Sequence, residues 1–365
     1  MKLLFFSLSE FSKFPSYKRV VGTGEVLAEM GHDVHIAVFD CLENRDRMSV
    51  EAPRCKPFWI KSRNPIVEAW AKLRAVYSLK PDVVYSPSFS IRNLAYCGFV
   101  LPRRTKRIIE FCELYSVYLY NKPSSFWRFN EWFACRENTH ILCASKYLES
   151  HFAQAMERWH IKRCLCYSPY AYPPYLASTK MSRKSCKKVL FMASLWRGYG
   201  VFDVLEAFLK VRNLIEGVEL EVLGNGPERC NVEKWVVDHG LTSSIHIRGY
   251  VAESELNGYF SEADVFVSPL RDTIQDRARC PSKLFYYIPY NKPIVTCRIG
   301  DPYETLGENG FYYVPEDIDS MSQAIINGLL ASETFSYPEG FVERHSWKAR
   351  AESFLNWISE WLHYG

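Results

Sequence analysis

Short apolar runs alternate with amphipathic stretches along almost the whole chain, the pattern of βα units on a parallel sheet. In the first half, KLLFFSL (Lys2–Leu8), DVHIAVF (Asp33–Phe39), DVVYSP (Asp82–Pro87), RIIEFC (Arg107–Cys112) and HILCAS (His140–Ser145) predict buried strands. GTGEVLAEMGH (Gly22–His32) predicts a helix ending near Gly31, where glycine tolerates a left-handed cap. In the second half strands are expected at 188–193, 218–223, 245–248, 264–268, 293–297 and 311–314, with helices in most of the gaps. HSWKARAESFLNWISEWL (His345–Leu362) sets Trp347, Phe354, Leu355, Ile358 and Leu362 at helical spacing, a closing amphipathic helix.

SPYAYPPYLASTKMSRKSCKK (Ser168–Lys188) has three prolines followed by a polar, basic stretch, which suits an exposed linker. The expected organisation is therefore an α/β fold of two Rossmann-like domains, 1–175 and 185–344. The helix 345–365 is expected to pack back on the first. A chain of 365 residues suits two domains of ordinary size. Hydrophobic content of 48% with 24% charged residues describes a globular protein. The twelve cysteines include no C-x-x-C pair, which disfavours a zinc ribbon or a thioredoxin-like site; free thiols in a reducing cytoplasm are expected. The apolar run at the N-terminus is too short for a signal peptide, and no run reaches the roughly 18 apolar residues of a spanning helix.

Charge is uneven. Residues 1–180 hold 26 Lys+Arg against 16 Asp+Glu, so the first half is basic and the second acidic within a net charge of +4. A basic half suggests an anionic partner (lipid head groups, a phosphorylated acceptor or nucleic acid), the alternative being a solvated surface.

Two segments carry candidate chemistry. LGNGPE follows a predicted strand. Gly224 and Gly226 permit a tight turn with exposed amides near a phosphate, although such glycines are often turn chemistry alone. The spacing is not the G-x-G-x-x-G dinucleotide fingerprint, so hydride chemistry is disfavoured. In CPSKLFYYIPY (Cys280–Tyr290), Pro281 and Ser282 start a helix whose first amides suit a diphosphate without any metal. Lys283 adds a positive charge. An ordinary capped helix burying Leu284, Phe285 and Ile288 explains the same residues.

The order LGNGPE, RGYV, ADVFVSP, PSK-L-F-x-Y and KPIV, strong from about 188 to 314, resembles the nucleotide-sugar-binding half of family 4 GT-B glycosyltransferases. LAEMGHDVHI, KPDVVYSPS and HILCASKYL resemble the same family's acceptor domain more loosely. The resemblance implies two Rossmann-like domains facing a central cleft. It also implies a nucleotide-diphosphate sugar as co-substrate, no metal or other cofactor, and transfer to a saccharide or lipid-linked acceptor with retention. It assigns Arg197 and Lys283 to the departing diphosphate. Gly224, Asn225, Ser282, Tyr286 and Glu304 fall at the donor, and Tyr250, Val251 and Glu253 at the base.

The sequence also departs from the family. Its two glutamates in E-x7-E spacing would fall at Ala278 and Tyr286, and its usual lysine before Gly200 is Tyr199. Tyr286 keeps one of the hydrogen bonds to the ribose, and Asp272 or Asp276 could replace the first acid. An inverting enzyme would need a base, for which Glu113, just after a strand, is the candidate, against an exposed loop carboxylate. The losses admit a second reading, a catalytically inactive partner of an active transferase.

On the acceptor side, Lys18, Arg19, Arg103, Arg104, Lys106 and Arg107 are basic, and SSFWRFNEWF (Ser124–Phe133) mixes Trp127 and other aromatics with Arg128. Such a segment suits an anionic membrane surface, unless the aromatics are core. The expectation is a cytoplasmic enzyme, peripheral on the inner face of the membrane, in envelope or exopolysaccharide synthesis. Nucleic acid has only the basic charge in its favour.

Overall fold

A computed structural model of the chain describes residues 1–7, 10–11, 16–87, 101–102, 104–118, 124–173 and 186–360. The chain divides into two compact units: Met1–Ala171 with Ala278–Cys280 and Ser346–Gly365, and Tyr172–Arg277 with Pro281–His345.

The first unit is built on seven parallel strands, β1 (Lys2–Phe6), β2 (Asp33–Phe39), β3 (Lys56–Ile60), β4 (Val83–Ser86), β5 (Lys106–Phe111), β6 (His140–Cys143) and β7 (Cys164–Tyr167). Their order is β3-β2-β1-β4-β5-β6-β7, with Phe5 level with both Ile36 and Tyr85. Central strands are buried on both faces by crossover helices, so they read as continuous apolar runs. The sequence pattern misses β3 and β7, the two edges. β3 begins on exposed Lys56 and Pro57, and β7 is half-buried throughout, so neither presents such a run.

The second unit has six parallel strands, β8 (Lys188–Met192), β9 (Glu219–Leu223), β10 (Ile245–Gly249), β11 (Val265–Val267), β12 (Ile294–Cys297) and β13 (Phe311–Tyr313). They are ordered β10-β9-β8-β11-β12-β13. Each lies within two residues of its predicted bounds. In both sheets the order reverses beside the first strand, β1/β4 and β8/β11, and ligands of such sheets bind outside the carboxyl ends at that switch point.

The first helix spans Tyr17–Glu29 and so starts five residues before the predicted Gly22. Gly22 and Gly24 lie inside it because each meets a close neighbour: a Cβ on Gly22 would come within 2.5 Å of the Trp347 ring, and one on Gly24 within 3.3 Å of Cys55 Sγ. Gly31, at φ +87°, turns the chain beyond its end. The closing helix, Trp347–Glu360, belongs to this unit and buries Ala351, Phe354 and Ile358 against Phe5, Val20 and Tyr85. Leu362 lies outside the described residues. Among the described residues no helix is long and apolar enough to cross a membrane, and none of the eleven cysteines they include is in a disulfide.

Candidate functional site

The loops at the carboxyl ends of the second sheet collect most of the predicted donor residues. Arg197 stands in a single 3-10 turn after β8, exposed and in no ion pair among the described residues. The LGNGPE turn follows β9 and is bonded to that loop at two points: Leu195 N donates to Asn225 O at 2.9 Å, and Glu228 N to Leu195 O at 3.0 Å. A Cβ on Gly224 would lie 1.8 Å from Ala193 O, and one on Gly226 2.5 Å from Leu195 O.

The expectation of free glycine amides is therefore corrected. Gly224 N donates to Gly249 O at 2.7 Å and Gly226 N to Asn225 Oδ1 at 2.9 Å. The glycines let three loops pack backbone to backbone, and that packing fixes the loop that carries Arg197. Gly200, at φ +73°, lets the same loop approach the Pro269 ring after β11, where a Cβ would lie 3.0 Å from it.

After β10 come Tyr250, with 79% of its surface exposed, half-buried Val251 and Glu253, the first residue of the Glu253–Glu262 helix. Glu253 Oε1 accepts from Tyr286 Oη at 2.8 Å. One turn on, Asn257 Oδ1 accepts from Tyr290 Oη at 2.5 Å. The helix holding Tyr286, Ser282–Tyr287, has only six residues. Pro281 precedes it with no side-chain cap, and Leu284 N donates to Pro281 O, so only part of its first turn is left for a ligand. Ser282 and Lys283 are half-buried, and Lys283 Nζ lies 5.3 Å from the centre of the Phe191 ring.

The acidic candidates separate. Asp272 is exposed after β11, and Arg277 Nε, 2.7 Å away, holds its carboxyl below the ordinary range. Asp276 is buried and accepts from Arg271 N at 2.7 Å, so it shapes the loop. Glu304 is exposed on the Gly300–Leu306 helix after β12. Ala278 packs its side chain into the apolar core of the first unit.

In the first unit, Glu113 follows β5 as predicted and is half-buried. Burial raises its carboxyl above the ordinary range, while the charge of Arg279 pulls the other way. Arg279, 166 positions along the chain, has no sequence signal tying it to Glu113.

The basic acceptor cluster is mostly internal. Arg19 is 5% exposed, with its guanidinium 2.5 Å from Glu110 Oε1 and 3.1 Å from Ser168 O. Tyr85 Oη donates to the other oxygen of Glu110. Lys18 is 8% exposed and pairs with Glu51 at 2.9 Å. Neither offers charge to a partner, which corrects their predicted role: buried cations are held by internal carboxylates. Lys106 donates to Ile358 O and Arg107 to Glu137 O, so both cap helix carbonyls. Arg104 is exposed, and Arg103 lies outside the described residues. Trp127 is also corrected, because it is half-buried and stacks on Tyr115 with ring centres 5.7 Å apart. Arg128 is exposed on the same Ser125–Glu137 helix, beside Phe126 and Phe129 at 67% and 58% exposure.

Among the described residues, Glu219, Glu221 and His246 come close enough for a metal. Glu221 is gripped by Arg248 through two bonds of 2.7 and 2.9 Å, and Lys188 lies 3.9 Å from Glu219. The carboxylates are thus already neutralised, and Glu219 opens β9 at the end of the sheet opposite the donor loops.

A family model described as glycosyl transferases group 1 matches residues 186–330, the second sheet and the loops just described. That stretch is similar to group 1 glycosyl transferases. The chain as a whole has the GT-B fold. Its relatives among solved structures include a glycosyltransferase from Rickettsia africae, with TM-score 0.75 and 14% identity over 100% of this chain and 99% of that one. Sucrose-phosphate synthase from Thermosynechococcus elongatus gives 0.74 and 15% over the full length of both chains. Anabaena HepE in complex with UDP and glucose gives 0.76 and 12% over 99% of this chain and 100% of that one. No curated protein sequence matches the chain. The second unit thus brings Arg197, Glu253, Lys283 and Tyr286 to the carboxyl ends of one sheet. Glu113 and Arg279 belong to the other unit.

Proposed function

We propose that the protein is a metal-independent glycosyltransferase moving a hexose from a nucleoside-diphosphate sugar to a saccharide or lipid-linked acceptor, with retention, in cell-envelope or exopolysaccharide synthesis. The observation that carries this reading is the match of residues 186–330 to the group 1 glycosyl transferases, with exposed Arg197 and half-buried Lys283 on the loops of that stretch. Leaving-group departure builds negative charge on the diphosphate. Cationic groups fixed where that charge develops lower the barrier without reorganising. Arg197 and Lys283 fill that role, and the donor phosphate takes the acceptor proton. The first unit binds the acceptor, with Glu113 beside its hydroxyl. Anabaena HepE binds UDP and glucose, so UDP-glucose is the first donor to try.

Peripheral contact with the inner face of a membrane is supported by Phe126 and Phe129, exposed on one helix with Arg128 and Arg136. Apolar rings and cations together suit an anionic interface. A second reading, a non-catalytic binding partner, draws on the buried Ala278 and on Tyr286, which leave no carboxylate at either position.

A transfer assay tests the proposal: labelled nucleotide sugars are incubated with the full chain and a panel of saccharides and polyprenyl lipids. Release of one nucleoside diphosphate per sugar transferred is expected. Binding without release for every acceptor supports the second reading and contradicts catalysis.

A further inference from the structure

Two hydrogen bonds join the Glu253–Glu262 helix to the segment 282–290, and they form a pair of rungs. Tyr286 meets Glu253 at 2.8 Å and Tyr290, in the 3-10 turn that follows its helix, meets Asn257 at 2.5 Å, so both segments advance four residues between rungs. The inner rung is packed: Tyr290 is 2% exposed and its ring lies edge-on to Phe260, 5.3 Å away. It fixes the register of the two helices. The outer rung is half-buried: Glu253 opens its helix just after β10, and Tyr286 lies one turn after Lys283 in the other.

Resting on the donor-site reading above, we infer that the Glu253 carboxylate, positioned by Tyr286, accepts the hydrogen bonds of the ribose hydroxyls of the bound nucleotide. A carboxylate repels a diphosphate but accepts strongly from hydroxyls. Its place is therefore at the sugar of the nucleoside. Lys283 and Tyr286 are three positions apart and share one face of their helix, about 5 Å apart along it. That spacing sets a cation for the diphosphate one turn before the tyrosine that holds the hydroxyl acceptor. Tyr286 has no negative charge of its own, and its hydroxyl, by donating to Glu253, orders a charged acceptor delivered from the other helix. Glu253 then sets the preference for ribonucleotides, and Tyr286 is a positioning residue.

The test is calorimetric binding of the four common ribonucleoside diphosphates and of their 2′-deoxy and 3′-deoxy counterparts to the full chain. The wild type is expected to favour the ribo form over at least one deoxy form by about tenfold, as one hydrogen bond to a charged group implies. Glu253→Gln and Glu253→Ala bring the two within about twofold, and Tyr286→Phe reduces the preference partway. Lys283→Ala weakens ribo and deoxy forms alike. Retained preference in Glu253 variants that melt like the wild type overturns the inference, as does a wild type that binds without preference. A wild type that binds none of these nucleotides overturns the donor-site reading itself.

Discussion

At the scale of single residues, the decisive feature is where charge is buried. Glu113 is the clearest case: burial, with Arg279 pulling against it, leaves its carboxyl raised above 4.5. A raised carboxyl contributes stability that is full below its unfolded pKa and is lost as pH rises through the folded value. Glu113→Gln is therefore expected to melt higher than the wild type at about pH 7, with the gain vanishing near pH 4. Melting curves across that range check it, and an equal gain at both ends contradicts it. A carboxylate kept at a cost to stability is a functional candidate. A loss of transfer of about 100-fold or more in the same variant would mark Glu113 as a base and contradict transfer with retention.

Residue identity was readable in the sequence at this scale, but pairing was not. Arg19 reads as a surface cation, yet its partner Glu110 is 91 positions away; Lys106 meets Ile358 at a separation of 252. The sequence singles out Glu253 and Tyr286 each as a donor candidate, while the bond between them depends on two segments folding side by side. No local pattern records a contact of that kind.

Among elements, the parallel strands were legible because burial on both faces forces unbroken apolar runs, and β3 and β7 were not because edge strands carry no such run. Gly22 misled for a related reason. Read alone it starts a helix, but it lies one turn inside, where the Trp347 indole occupies the space a side chain would take. Trp347→Ala is expected to cost about 3–5 kcal/mol in urea unfolding, as for other buried large-to-small changes. Gly22→Val destabilises as well, by forcing that ring aside. The double variant should lose markedly less than the sum, since removing the indole makes room for valine. Strict additivity would mean that the two helices do not meet through this contact.

The Ser125–Glu137 helix yields an expectation at the same scale. Phe126→Ser with Phe129→Ser leaves the fold intact, because both rings are exposed, but reduces co-sedimentation with anionic vesicles several-fold. Unchanged sedimentation argues against the peripheral membrane reading.

For the whole molecule, the GT-B fold rests on two parallel sheets, each with its switch point beside its first strand, and on the match of 186–330 to the group 1 glycosyl transferases. The basic first half was legible as composition, but much of that charge is spent inside the unit on Glu110, Glu51 and helix carbonyls. Net charge by halves is therefore a poor guide to the partner surface. The proposal is narrower: we infer that the second unit holds a nucleoside diphosphate through Arg197 and Lys283. The most direct measurement is calorimetric titration of the full chain with UDP in the presence of a chelator, repeated with Arg197→Ala and Lys283→Ala. Saturable binding without metal, weakened about tenfold or more in each variant while the melting temperature holds, is the predicted result. Wild-type affinity retained in both variants would contradict the account.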